Sequence, residues 1–460
     1  MQLIAYYDYL LLLPYVVIFF LIARRFAKKN AQTPNEFYWF LINWWIKMIA
    51  GILLAWMIVY YYGYGDPMGY KDQSDALLDS VLKNWGNIKF IFLPVESFRD
   101  YLSNLGYSTL DLGYYSEPNF MISRVSCIAA FFTFNRFLII NFIFTNIAYY
   151  GFVLIYTASK KIIHGYNKAL AIGCLFIPSC IFWSSGLAKE PICMISLGVM
   201  FSCVVKLFFQ KKISFRTILK LIFFSYVLCT VKNYIFYCFL FAFILWIFYN
   251  CVKKLMSKSI LIKIALMLFF IIITAGIAYF FADSLAEVVN INIGDIITSN
   301  IDIYESIAAR QGGSLIEVKD IDVSSFWGIL KFIPHGLVNV FFRPFPWEIS
   351  NVLMILTVLE NLFFIFLFIK VIFKSRFFTK KLFINKNYQV FAILFSVSLA
   401  FVIGISTFNF GTMVRYKIPF LPFWASFLLI LSKKTLKPSD NKTSASILPI
   451  KPSQPVIKTL

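Results

Sequence analysis

The chain is a succession of apolar stretches of roughly 15–22 residues, each long enough to cross a bilayer as a helix, with short basic clusters between them. Few other folds accommodate that pattern. A chain of 460 residues that is 60% hydrophobic and 14% charged, with a mean hydropathy of +0.76, has more apolar surface than a water-soluble core can bury. The expected fold class is all-α: a polytopic transmembrane helical bundle with a single membrane-embedded domain over residues 1–432.

Charge orders these stretches. Asp8 precedes the first span, near Tyr9–Ala23, and Arg24, Arg25, Lys28 and Lys29 follow it, so the positive-inside rule puts the N-terminus out. Further spans are expected near Trp44–Tyr62, Phe137–Tyr156, Ala169–Trp183, Ile192–Phe209, Ile218–Val231, Tyr234–Cys251, 260–281, Asn351–Phe373, Tyr388–Thr407 and Ile418–Leu431. With basic clusters at Lys160/Lys161, Lys211/Lys212/Arg216, Lys253/Lys254/Lys258 and 374–386 inside, this makes about eleven spans with the C-terminus in. Two large extracytoplasmic loops, near 63–136 and 282–350, hold most of the carboxylates, and 433–460 is expected to be a disordered cytoplasmic tail. Residues 119–134, short and interrupted by Arg124, read as an interfacial or re-entrant helix. Lys232-Asn233 reads as the tip of a tight hairpin.

The same residues exclude several classes of function. A formal charge of +21 spread over membrane-flanking clusters sets topology and gives no reason to expect nucleic acid. Eight cysteines in apolar runs without C-x-x-C spacing predict neither disulfides nor zinc, and two histidines are too few for a histidine metal cluster. Since the charge polarity around the first span is the reverse of a cleavable signal, that span is expected to be retained. No Walker loop, G-x-G-x-x-G or G-x-S-x-G is present, and the small inner loops leave little room for a nucleotide-sugar domain.

Four polar stretches are expected at the outer face. In Gly63-Tyr-Gly-Asp66 the glycines permit tight turns that hold Asp66 at the membrane surface as a candidate base, with Asp72 a second catalytic candidate. Asp66, Asp72 and Asp75 leave two roles open: holding a divalent cation such as Mg²⁺, or facing water. In Phe182-Trp-Ser-Ser-Gly-Leu-Ala-Lys-Glu-Pro191, Lys189 and Glu190 fall near a helix N-terminus, a place that attracts phosphate; the structural alternative is a snorkelling lysine beside an acidic neighbour. Arg343-Pro-Phe-Pro-Trp-Glu348 holds Arg343 and Glu348 at the interface, either as a phosphate site or as an aromatic anchor. Upstream of it, Arg310 lies in the loop Ala308–Ser314. Asn409-Phe-Gly-Thr-Met-Val-Arg-Tyr-Lys417 adds Arg415 and Lys417. Inside the membrane, Glu360 is either a hydrogen-bonded packing residue or the partner of an inward-facing arginine.

Taken together, Gly65-Asp66 with Tyr70, Phe182–Glu190, Arg343–Glu348 and Asn409–Lys417 resemble stretches of bacterial multi-spanning proteins of cell-surface polysaccharide assembly. More broadly the chain is similar to the membrane-embedded GT-C glycosyltransferases. That resemblance implies a polyprenyl-phosphate-linked sugar as donor, Asp66 as the base in the first large outer loop, and a place in the inner (cytoplasmic) membrane. Lys189, Glu190, Arg310, Arg343, Glu348, Arg415 and Lys417 would then bind substrate. One feature departs from the GT-C pattern, since a complete span precedes the one that leads into the acidic loop. O-antigen polymerases, with arginine-rich outer loops, are the alternative the arginines support, and a lipid-linked-sugar transporter or flippase is a third.

Overall fold

The structure is a computed structural model, and it describes residues 3–107, 114–255, 326–350, 352–375 and 386–433, with isolated positions between 299 and 316. The expected span at 260–281, Arg310, most of the basic loop at 374–386 and the tail from 434 lie outside the described residues.

Every described element is helical. The first is α1 (Tyr6–Asn30), and α2 (Pro34–Trp56) continues into a π-helical turn, Met57–Tyr62. Next come α3 (Asp66–Lys83), α4 (Val95–Asn104), α5 (Glu117–Phe131) and α6 (Phe137–Ile162). They are followed by α7 (Asn167–Leu175), α8 (Pro178–Phe182), α9 (Lys189–Val204) and α10 (Phe215–Leu255). The last five are α11 (Phe326–Phe342), α12 (Val352–Ser375), α13 (Lys386–Ser406), α14 (Phe410–Tyr416) and α15 (Leu421–Ser432).

Among the described residues, seven helices are long and apolar enough to cross a membrane, or eight if the pair α14–α15, bent by 75°, forms one span. The difference from eleven lies in three places. The segment Ala169–Trp183 is broken into α7 and α8, two expected spans are the two halves of α10, joined at a kink and counted as one, and 260–281 is not described. Inside α10, Lys232 has non-helical backbone angles (φ −150°, ψ 84°). Its side chain meets Glu190 at the start of α9, while Trp246 stacks on Phe209 just past the other end of α9. The second half of α10 therefore runs beside α9 in the same sense, and the first half must climb back from 210–214 to reach Lys232. A reversal at this residue is what the Lys232-Asn233 tip led one to expect.

These contacts define two ends of the bundle. At one end Arg136, just before α6, pairs with Asp8 of α1, and α2 delivers the chain to Asp66. At the other, Lys160 in the last turn of α6 pairs with buried Glu36 in the first turn of α2, whose helix is started by Thr33 accepting from the Glu36 N–H and by Pro34. Lys28 and Lys29 in the last turn of α1 share that end, as do Lys211 and Lys212 beyond α9. Helices α6 and α9 approach so closely that a Cβ on Gly198 would sit 2.4 Å from the Gly151 carbonyl oxygen.

Residues 167–188 lead from the basic end back to the start of α9, and they do so as a broken helix. A break inside a membrane strands backbone groups, so each must find a partner within the protein. Here side chains supply them. Asn43 donates to the Leu175 carbonyl where α7 ends, and Glu360 accepts the Ser179 N–H at the start of α8 (2.7 Å). At the far end of α8, Lys47 donates to the Cys180 carbonyl (3.0 Å) and the Ser184 hydroxyl (2.6 Å). Thr145 and Asn141 of α6 then accept the N–H groups of Gly186 and Leu187, each at 3.0 Å. Gly186 is required at its position: φ is +84°, and a Cβ there would lie 2.3 Å from the Asn141 side-chain oxygen.

Candidate functional site

Three of the four polar stretches meet at the end of the bundle away from the basic clusters. The turn after α2, ended by Gly63 with φ +72°, presents Asp66 as the first residue of α3. The segment after α8 brings Trp183, Leu187 and Ala188, and the short helix α14 brings Arg415 from 349 residues further along the chain. Between them lies a pocket of about 260 Å³ whose wall includes Tyr62, Tyr64, Asp66, Trp183, Ala188 and Arg415.

The charges form a chain that leads inward from this pocket. Arg415 Nη2 donates to Asp66 Oδ2 at 3.2 Å and lies 3.6 Å from Glu190 Oε2, too long for a hydrogen bond. Glu190 Oε1 accepts from Lys232 Nζ at 3.0 Å, and that ammonium sits 4.3 Å above the Tyr416 ring. Exposure falls along the chain: the side chain of Asp66 is 46% exposed and Arg415 29%, but Glu190 only 1%. Glu190 is thus buried rather than lying at the surface turn where the sequence put it. The burial is sustainable because Lys232 and Arg415, distant in sequence, both face it. The Lys189 ammonium, half-buried beside this group, has no hydrogen-bond or ion-pair partner among the described residues.

Asp66 Oδ1 accepts from the Tyr114 hydroxyl at 3.5 Å. Burial, followed by the nearby Asp66 charge, pushes both the Tyr70 and Tyr114 phenols well above the usual tyrosine range. Both therefore stay protonated near neutral pH, and Tyr114 serves Asp66 as a donor. Ala188 offers no capping side chain to α9, so N–H groups of its first turn are left without a side-chain cap beside the pocket.

The remaining candidates lie elsewhere. Asp72 is exposed on α3, its carboxyl pushed up by partial burial and then by Asp75, while Asp75 is held by Lys71 (2.5 Å) and Asn135 (2.7 Å). Among the described residues no three His, Cys, Asp or Glu side chains cluster as a metal site would need. Arg343 and Glu348 pair with each other; Arg343 also donates to Asn339 (2.9 Å), and Glu348 accepts the Phe345 N–H (2.7 Å). This closed loop does not line the pocket; its guanidinium lies 5.2 Å from the ring of Phe410, the first residue of α14. Lys417 does not reach the pocket: it is wholly buried and donates to Asn361 Oδ1 at 3.0 Å.

The charged group and the pocket beside it also include residues to which the sequence assigns no chemistry. Lys232 carries a signal of its own, a lysine interrupting an apolar run, which by itself implies no more than a hairpin tip. Tyr62 and Trp183 belong to the polar stretches but have no role assigned there, and nothing in the sequence marks Tyr114. The chain matches no protein-family model, no curated protein and no solved structure.

Proposed function

We propose that this protein is a membrane-embedded glycosyltransferase that moves a sugar from a polyprenyl-phosphate-linked donor to an acceptor during cell-surface polysaccharide or glycoconjugate synthesis. The observation that carries the reading is the meeting of Asp66 and Arg415 in one pocket at the end of the bundle opposite the basic clusters. In this reading the protein lies in the bacterial inner membrane with its basic clusters on the cytoplasmic side, so that the pocket opens extracytoplasmically.

In this scheme Asp66 takes the proton of the acceptor hydroxyl. The hydroxyl oxygen bonds to the anomeric carbon as the bond from that carbon to the phosphate oxygen breaks, and the lipid phosphate leaves with the electron pair. Arg415 and Lys189 offset its charge, and Trp183, Tyr62 and Tyr64 give the sugar apolar faces to lie against. Such a donor lives in the bilayer, which fits the lack of nucleotide motifs. The test is surface glycan in cells carrying Asp66→Asn or Arg415→Ala at normal protein level: loss in both is expected, and normal glycan in both refutes the reading.

The polymerase or ligase alternative leans on several arginines, and Arg343 is already engaged by Glu348 and Asn339. A flippase draws support from one feature, the broken crossing α7–α8, since transporters build sites on discontinuous helices. Transfer by detergent-solubilised protein, with no second compartment, separates an enzyme from a flippase.

A further inference from the structure

Arg415 faces two carboxylates with different roles. Glu190 is buried and hydrogen-bonded to Lys232, and its other oxygen faces the guanidinium at 3.6 Å independently of Asp66. Asp66 is half-exposed and approaches from the pocket side, with a second partner in Tyr114. An anion entering the pocket therefore meets Arg415 where Asp66 now binds it. Lys189, Lys232 and Arg415 against Asp66 and Glu190 leave this group with one surplus positive charge, which the single negative charge of a phosphodiester offsets.

We propose that the phosphodiester of the lipid-linked donor displaces Asp66 from Arg415, so that donor binding itself releases the base that will activate the acceptor. The idea rests on the transferase reading and adds an order to it, donor before acceptor. In the free protein Asp66 is engaged by the cation that later holds the leaving phosphate. Water and acceptor hydroxyls then meet an unengaged carboxylate only when a donor is in place. The exchange is feasible because an exposed ion pair is weak, whereas an arginine–phosphate contact can use two parallel hydrogen bonds.

The experiment measures binding of geranylgeranyl methyl phosphate, a prenyl phosphodiester without a sugar, to the full-length protein in nanodiscs. Because Asp66 competes for Arg415, Asp66→Asn is expected to bind about two- to fivefold more tightly than wild type, the scale of one partly exposed ion pair. Asp66→Ser should do the same, which guards against a folding artefact of one variant. Arg415→Gln should bind at least about tenfold more weakly, from loss of a charge-assisted phosphate contact. Adding Asp66→Asn to Arg415→Gln should give no further gain, since the competition needs Arg415. Equal or weaker binding by both Asp66 variants overturns the proposal, as does a gain that persists without Arg415, which would be long-range repulsion only. Should wild type bind no phosphodiester at all, the transferase reading fails and this inference with it.

Discussion

Two groups of buried charge lie in the same bundle, and they are used in opposite ways. In the middle, Lys47 and Glu360 bracket the five-residue helix α8, the ammonium on its C-terminal carbonyls and the carboxylate on its N-terminal N–H, each the sign that the helix dipole favours at that end. Nearby Lys417 is absorbed by Asn361. At the end of the bundle, Lys232, Glu190, Arg415 and Asp66 pair in succession, and Asp66 and Arg415 line a cavity. A charge that repairs broken backbone is structural. A charge whose partner is a half-exposed group of opposite sign can exchange that partner for a ligand.

This contrast can be broken by substitution. The largest expected effect is that of Lys47→Met, which removes the charged donor shared by the Cys180 carbonyl and Ser184 and leaves the carbonyl only the Ser184 hydroxyl; about 3 kcal/mol of stability should be lost. Thermal unfolding in detergent measures it, and an unchanged midpoint with lost transfer would make Lys47 a functional charge. Glu190→Gln comes next, at about 2 kcal/mol together with weakened transfer, because Lys232 and Arg415 lose their shared carboxylate. Glu360→Gln should cost only about 1 kcal/mol, since an amide oxygen still accepts the Ser179 N–H, and transfer should persist. The smallest effect, under about 1 kcal/mol with transfer intact, is expected for Arg343→Gln, whose pairing with Glu348 lies partly open to solvent. Loss of transfer in Arg343→Gln at normal stability would move that loop into the site and favour the polymerase reading.

How far the sequence reveals this arrangement depends on the distance over which each feature is encoded. The helical bundle is written locally, in runs that a bilayer requires, and so is the reversal at Lys232. The break between α7 and α8 is not, because Ala169–Trp183 reads as one apolar run in which only Pro178 hints at interruption. What makes the break tolerable comes from Asn43, Lys47, Asn141, Thr145 and Glu360 on other helices. The candidate site shows the same divide. Asp66, Lys189, Glu190 and Arg415 stand out singly as charges beside apolar runs, but that three stretches converge while Lys417 turns into the core is settled only by packing.

The most direct test is sugar transfer by purified protein in detergent, from a synthetic prenyl phosphosugar, comparing wild type with Asp66→Asn. Removing a general base costs about 10²- to 10⁴-fold in rate, and a half-exposed side chain contributes little to folding, so transfer should fall by that factor with the unfolding midpoint unchanged. Transfer at the wild-type rate by correctly folded Asp66→Asn protein would contradict the assignment of this pocket as the catalytic site.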